Sequence, residues 1–225
     1  MLRAIVFDFD GVIANSEPLH FRAFRDVLAE VGVDLSERDY YDRYLGYDDI
    51  GVFKAVGVDR GLVWPQDRVA SFVAAKAVLM EAAEREGAIL FPGAEAAIRR
   101  AAAVLPLAVA SGALGAEIRR VLDREQLTAC FKAIVSAEDT PASKPAPDPY
   151  LRAVSLLTTA TGVPLRAAEC VAIEDSPWGL ESARSAGLRT VAVAQTYDLG
   201  ALEADLVIPS LNDLDLAALN RLCAS

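Results

Sequence analysis

Short apolar runs of strand length recur along this chain, and segments with helical spacing separate them. The runs span residues 4–7, 107–110, 133–135, 171–173, 191–194 and 206–208. One intervening segment places Leu114, Ile118, Val121 and Leu122 on one helical face. Runs that are apolar at every position are typical of strands buried on both faces of a sheet. The alternation therefore predicts an α/β fold, with a parallel sheet covered by helices on both faces.

One long segment interrupts this alternation. From about Ser16 to Gly87 only amphipathic helical patterns occur, and Phe21, Phe24 and Leu28 share one helical face. We predict an inserted α-helical cap domain over residues 16–87, and a core formed by residues 1–15 and 88–225. The short connections at 13–15 and 91–93 would then join the two parts and could act as a hinge.

Composition and charge exclude several classes of protein. The net charge of −10, without a Lys/Arg cluster, argues against a nucleic-acid partner. Cys130, Cys170 and Cys223 form neither a zinc motif nor a disulfide framework, which favours a reducing cytoplasm. The longest apolar stretch, 101–110, is about half of the roughly 20 residues that span a bilayer, so we expect no membrane partner. The sequence leaves open whether the protein is a monomer or a homodimer.

Polar and charged residues follow the predicted strands. They are Asp8, Asp10 and Gly11 after the first run, Ser111 and Gly112 after the second, Lys144 in a proline-rich connection, and Glu174 and Asp175 after the run at 171–173. Ligands of open α/β sheets bind outside the carboxyl ends of the strands. We therefore expect these residues to form one site.

The charges of this site indicate its ligands. Four carboxylates would repel a phosphate dianion unless a strong cation offset them, and oxygen ligands suit Mg²⁺. Lys144 would add positive charge. The Ser111 hydroxyl and the backbone N–H groups of Gly112 and Ala113 could bind phosphoryl oxygens.

The two aspartates of the first motif are suited to different tasks. Asp8 would be ionised and could attack phosphorus as a nucleophile to form an acyl phosphate. Asp10, with its pKa raised by its negative neighbour, could protonate the leaving alkoxide and later deprotonate water.

These motifs, in this order, resemble those of the haloacid dehalogenase superfamily, in the branch with a helical cap after the first strand. Asp8 to Gly11 matches its DxDG motif, and Ser111, Lys144 and Glu174-Asp175 match the other three. The resemblance implies a Rossmann-like core. It also implies Mg²⁺ held by the Asp8 carboxylate, the Asp10 backbone carbonyl and Asp175. Glu174 would either bind Mg²⁺ directly or contact the residues that do. The dehalogenases lack the second aspartate, so Asp10 favours phosphoryl transfer.

Within this resemblance, the favoured activity is hydrolysis of a small phosphomonoester, such as a sugar phosphate or a phosphoglycolate-like acid. A β-phosphoglucomutase-like mutase is the alternative, because the spacing of Asp8, Asp10, Ser16 and His20 is similar. Such mutases grip a second phosphate with a cap Lys and a cap Arg, where this chain has Leu45 and Asp49. A third possibility is a non-catalytic aspartyl-phosphate receiver, which would have no use for Asp10 or a cap.

Three residues of the predicted cap are candidates for substrate recognition: His20, Arg43 and Tyr47. Each also has a structural interpretation. His20 could be a packing or surface residue, and the tyrosines between 40 and 47 could form a helix face and the loop after it.

Overall fold

The computed structural model describes residues 1–45, 47–86 and 89–224. The chain forms two compact units: one combines Met1–Asn15 with Ile89–Ser225, and the other is Ser16–Ala88. Gly87 and Ala88, at the predicted domain boundary, lie outside the described residues, as does Gly46 of the cap loop.

The larger unit is built on a parallel sheet with the order β3-β2-β1-β4-β5-β6. The strands are β1 Ala4–Phe7, β2 Leu107–Ala110, β3 Phe131–Val135, β4 Cys170–Glu174, β5 Arg189–Val193 and β6 Leu206–Ile208. Every residue of β1, β2 and β4 is buried, which is why these strands read as apolar runs, with Glu174 at the end of β4 as the exception. The predicted α/β fold is confirmed, with β3, β4 and β5 each starting one or two residues before the predicted run.

Helices are numbered along the chain. The smaller unit contains α1 Glu17–Ala29, α2 Glu37–Asp39, α3 Asp49–Asp59 and α4 Gln66–Glu86; the larger contains α5 Ala94–Ala102, α6 Gly115–Arg124, α7 Asp148–Thr161, α8 Pro177–Ser185 and α9 Leu216–Leu222. None of the described helices is long and apolar enough to cross a membrane.

Helices α7 and α8 carry their first turns to the ends of the strands. Helix α7 packs Tyr150, Ala153 and Leu157 against one face of the sheet. Helix α8 starts after Ser176, whose hydroxyl accepts a hydrogen bond from the Gly179 N–H at 3.2 Å. The Asp-Pro and Ser-Pro pairs at 148 and 176 both suggest a cap before a first-turn proline. That interpretation is right for Ser176 and wrong for Asp148, which is the first residue of α7 after Pro147.

The smaller unit has an aromatic core of its own. Phe53 of α3 contacts both Phe24 of α1, edge-on, and Phe72 of α4, with the rings tilted. The ring centroids are 5.1 and 5.3 Å apart, respectively. Residues Tyr40–Tyr44 form one π-helical turn between α2 and α3. The aromatic helix faces in the sequence thus bury one another, as hydrophobic periodicity predicts.

Candidate active site

The central strands bring the predicted site residues to one edge of the sheet. β1 lies between β2 and β4, and Phe7 pairs with both Val109 and Ile173. Asp8 and Ser111 therefore follow neighbouring strands, and Glu174 ends the strand on the other side of β1. The parallel register places these groups together although more than 160 residues separate Asp8 from Glu174 in sequence.

Lys144 bridges two of the carboxylates. Its Nζ lies 2.8 Å from Asp8 Oδ1 and 2.6 Å from Glu174 Oε1, and its side chain is 9% exposed. Burial lowers the pKa of Lys144, but Asp8 and Glu174 raise it further, so the net pKa is above its ordinary value. Lys144 is therefore a fixed positive charge beside Asp8.

Glu174 is completely buried and accepts hydrogen bonds at both oxygens. Oε1 accepts from Lys144 at 2.6 Å and from the Tyr150 hydroxyl at 2.7 Å. Oε2 accepts from the Asp175 N–H at 3.1 Å and from the Ser176 hydroxyl at 3.2 Å. A carboxylate offers about four lone-pair sites, so Glu174 is close to saturation by protein donors alone.

Asp8, Glu174 and Asp175 are candidate metal ligands. One oxygen of each lies within 4.8 Å of the others, and all three residues are buried. Burial and then the charge of Glu174 raise the pKa of Asp8, and the same two causes raise the pKa of Asp175 to about 7. Three buried carboxylates against one ammonium leave an excess of negative charge. This donor set fits a hard divalent cation such as Mg²⁺.

The loop after β1 is packed tightly against Asp175. A Cβ at Gly11 would lie 1.9 Å from Asp175 Oδ2, and Gly11 has a φ of +77°, so both space and backbone conformation require glycine. The backbone carbonyls of Gly11 and Val12 accept hydrogen bonds from Gln195 Nε2 at 2.8 and 3.2 Å. Asp10, half-buried in this loop, is bridged to Ala14 through the backbone. These contacts fix the loop that carries Asp10.

The loop after β2 is held by the connection that follows β3. The buried Ser111 hydroxyl accepts from the Ala113 N–H at 3.0 Å, while Gly112 is exposed with open space around it. The Gly115 N–H donates to Glu138 Oε2 at 3.0 Å, and this hydrogen bond lowers the pKa of Glu138. The loop thus holds the Ser111 hydroxyl and the backbone N–H of Gly112 at the sheet edge, where they can meet an anion.

In the smaller unit, His20 belongs to a polar cluster around the buried Lys76. Lys76, 1% exposed, places Nζ 2.8 Å from His20 Nδ1, 2.5 Å from Asp49 Oδ1 and 4.7 Å from the centroid of the Phe24 ring. Burial and then the charge of Lys76 lower the pKa of His20 to about 3. Because an ammonium only donates, Nδ1 accepts and His20 is neutral with its proton on Nε2.

The other two cap candidates lie elsewhere in the smaller unit. Arg43 pairs at 2.6 Å with Asp59, the last residue of α3. Asp49, the partner of Lys76, is the first residue of that helix, about 15 Å away at 1.5 Å per residue. Tyr47 is exposed and, with Arg43, lines an open cavity of about 520 Å³. The structure therefore separates Arg43 from the cluster that contains His20.

The sequence did not predict the roles of three residues, Tyr150, Lys76 and Gln195. Tyr150 and Lys76 each lie on a helix face that reads as mostly apolar in the sequence, yet each makes a polar contact with a carboxylate. For Tyr150 the available signal was weak: a tyrosine on a core-facing helix position needs a partner for its hydroxyl. Gln195, which follows β5, carried no signal at all.

Comparison with known proteins agrees with this geometry. Residues 5–193 match the family described as haloacid dehalogenase-like hydrolase. The chain belongs to this family. The predicted resemblance is therefore confirmed.

Several relatives of this chain have been named. The plasmid protein CbbY of Cupriavidus necator is 34% identical over 94% of this chain and 87% of its own length. Hexitol phosphatase B of Escherichia coli is 34% identical, covering 94% of this chain and 93% of the relative. The β-phosphoglucomutase of Bacillus subtilis is 27% identical, covering 98% and 95%.

A solved structure of a related CbbY shares the fold. CbbY from Rhodobacter sphaeroides, in complex with phosphate, superimposes with a TM-score of 0.84 at 28% identity, over 98% of this chain and 100% of that chain. A mutant of the same protein was solved with xylulose-(1,5)bisphosphate, with a TM-score of 0.81 at 28% identity over 97% and 99% of the two chains. The named relatives therefore include both a phosphatase and a mutase.

Proposed function

We propose that this protein is a Mg²⁺-dependent phosphatase that hydrolyses a small phosphomonoester, a sugar phosphate or a phosphoglycolate-like acid, through an aspartyl phosphate on Asp8. The observation that carries the proposal is the meeting of Asp8, Lys144, Glu174 and Asp175 at one edge of the sheet. The hexitol phosphatase among the relatives supports this activity. The three cysteines are free thiols, which is consistent with a reducing cytoplasm.

In the first step, a carboxylate oxygen of Asp8 attacks phosphorus and the bond from phosphorus to the ester oxygen breaks. Asp10 donates its proton to the departing alkoxide. In the second step, Asp10 takes a proton from a water molecule whose oxygen attacks the same phosphorus. The bond between phosphorus and Asp8 then breaks, releasing orthophosphate and restoring the Asp8 carboxylate.

Other residues hold the transferring group. Lys144, fixed beside Asp8, and the Ser111 hydroxyl with the backbone N–H of Gly112 would bind the phosphoryl oxygens. Mg²⁺, when bound, would neutralise negative charge on the phosphoryl group. The Asp8 carboxylate, the Asp10 carbonyl and Asp175 would hold this ion. Because both oxygens of Glu174 already accept hydrogen bonds, we propose that Glu174 orients its neighbours instead of binding Mg²⁺ directly.

Charge within the smaller unit favours a phosphatase over a mutase. A mutase needs an unpaired cation for the second phosphate of its substrate. Asp49 instead forms a short ion pair with Lys76 inside this unit, so the buried lysine is already neutralised. Arg43 is likewise paired with Asp59. A substrate with one phosphate and uncharged hydroxyl groups suits this arrangement better.

His20 is the strongest of the three cap candidates for substrate recognition. Its neutral ring leaves the Nε2–H as a donor for a hydroxyl group of the substrate. We propose Arg43 and Tyr47 as weaker candidates for substrate recognition, because they line the open cavity and Arg43 lies away from the His20 cluster.

The proposal is tested by measuring orthophosphate release with Mg²⁺ from a panel of sugar and polyol monophosphates, phosphoglycolate and β-glucose 1-phosphate. We expect release by the native protein and by Asp42→Asn, a change in an exposed ion pair. Asp8→Asn should abolish it. Glucose 6-phosphate formed from β-glucose 1-phosphate with a bisphosphate primer, without orthophosphate, would establish the mutase instead. A long-lived phosphorylated protein without turnover would establish the receiver.

A further inference from the structure

Tyr150 makes a buried contact with the site that the mechanism above does not use. It lies in the first turn of α7, six residues after Lys144, and is completely buried. Its hydroxyl lies 2.7 Å from Glu174 Oε1, and the centroid of its ring lies 5.3 Å from Lys144 Nζ. One side chain thus touches both partners of the ion pair beside Asp8.

The position of Lys144 depends on a competition between two carboxylates. Lys144 is bonded to Asp8 at 2.8 Å and to Glu174 at the shorter distance of 2.6 Å. Glu174 is entirely buried, so its attraction for the ammonium is little screened by water. Without another donor on Oε1, Lys144 would be drawn toward Glu174 and away from the attacking residue.

The Tyr150 hydroxyl supplies that donor without adding charge. It occupies a lone pair of the same oxygen that binds Lys144, and as a neutral phenol it donates a hydrogen bond there without bringing a charge. The face of its ring adds a favourable surface for the ammonium. The remaining oxygen of Glu174 is held by the Asp175 N–H and Ser176, so the carboxylate cannot turn to compensate.

We propose that Tyr150 is a positioning residue that keeps Lys144 against Asp8 by sharing Glu174 Oε1. The proposal rests on the function proposed above, in which Lys144 binds the phosphoryl oxygens. Tyr150 touches neither the substrate nor the reacting atoms; it acts through Glu174 and Lys144. Its contribution should therefore appear in the affinity for phosphate and in the rate of phosphoryl transfer.

The test compares Tyr150→Phe with Tyr44→Phe. Both substitutions keep the ring of a buried tyrosine and remove its hydroxyl, which donates a hydrogen bond to a carboxylate. For Tyr44 that carboxylate is Asp59, at 2.6 Å in the smaller unit. Calorimetry measures the affinity for orthophosphate with Mg²⁺ present, and a crystal structure of Tyr150→Phe gives the distance from Lys144 Nζ to Asp8 Oδ1. Both readouts are independent of turnover.

For Tyr150→Phe we expect orthophosphate to bind about tenfold more weakly, as the loss of one hydrogen bond to a charged group implies, and kcat/KM to fall by a similar factor. The distance from Lys144 to Asp8 should lengthen. Tyr44→Phe should lower thermal stability comparably but leave phosphate affinity unchanged. Equal phosphate affinity in the native protein and Tyr150→Phe would overturn the inference. Lack of orthophosphate release by the native protein would instead refute the proposed function.

A double-mutant cycle with Glu174→Gln tests the route of the effect. If Tyr150 acts through Glu174, the tenfold change should shrink to about twofold in the Glu174→Gln background. An undiminished tenfold change in that background would contradict the proposed route, because Tyr150 would then act on Lys144 or Asp8 by itself.

Discussion

Removing the charge of Asp49 should destabilise the smaller unit, because the buried ammonium of Lys76 would lose its ion-pair partner. Lys76 is 1% exposed, with His20 Nδ1 at 2.8 Å and the Phe24 ring at 4.7 Å, and the Glu17 carboxylate also attracts its ammonium. Asp49→Asn keeps the size of the side chain and an acceptor oxygen, so the change isolates the charge.

The expected loss follows from the burial of the two partners. Removing one partner of a fully buried pair typically costs about 3–5 kcal/mol. The Asp49 side chain is 33% exposed, so water screens part of the interaction, and we expect a loss near 2 kcal/mol. Replacing both partners, as in Asp49→Asn with Lys76→Met, should recover most of this loss, because the buried ammonium is removed together with its partner.

Urea unfolding followed by tryptophan fluorescence measures this loss. The chain has two tryptophans, one in each unit. In a Trp178→Phe background only Trp64 remains, packed edge-on against Phe72 in the core of the smaller unit. Asp42→Asn, in an exposed pair with Arg38, is the matched control and should change stability by less than about 0.5 kcal/mol. If Asp49→Asn behaves like this control, or if the double substitution is as unstable as the single one, the ion pair does not stabilise the unit in this way.

Three further predictions concern other parts of the molecule. Because the pKa of His20 in the folded protein is about 3, below its ordinary value of 6.5, the unfolded chain binds a proton first as the pH falls. About 2 kcal/mol of stability should therefore be lost by pH 5. His20→Asn should remove this part of the pH dependence of urea unfolding. Gly179→Ala should abolish phosphate release and lower the melting temperature, since its Cβ would lie 2.1 Å from the Glu174 carboxylate. Gly200→Ala, with open space around the residue, should change neither. An active Gly179→Ala protein would show that Glu174 can move to accept the added methyl group. Mg²⁺ at 100 times its Kd should raise the free energy of unfolding by about 2.7 kcal/mol, and Asp175→Asn should weaken this stabilisation. Calorimetric melting with Mg²⁺, compared with melting in EDTA, measures the stabilisation. Equal stabilisation of the native protein and Asp175→Asn would exclude Asp175 as a ligand.

The sheet and the core of the site were predictable from the sequence because both depend on local patterns. Unbroken apolar runs define buried parallel strands, and the carboxyl ends of such strands meet at one edge. Asp8, Ser111 and Glu174 could therefore be grouped without knowing any long-range contact. The fold places them as this rule requires.

The contacts that support the site were not predictable in the same way. Tyr150 and Glu174 are 24 residues apart, and Lys76 is 27 residues from Asp49. Each pair depends on how two helices, or a helix and a strand, pack in three dimensions. A buried lysine on an otherwise apolar helix stripe needs a partner, but the sequence does not say which carboxylate supplies it. The same limitation explains why Arg43 could be grouped with His20, although its partner is Asp59 at the other end of α3.

The most direct test of the account is to trap the phosphorylated protein. Rapid acid quenching during turnover of a hydrolysed substrate with Mg²⁺, followed by peptide mass spectrometry, locates the phosphoryl group. We expect transient phosphorylation of the peptide that contains Asp8, no phosphorylation in Asp8→Asn, and a longer-lived phosphorylated species in Asp10→Asn if any forms. Native rates of phosphate release by Asp8→Asn, or a phosphoryl group on another residue during turnover, would contradict it.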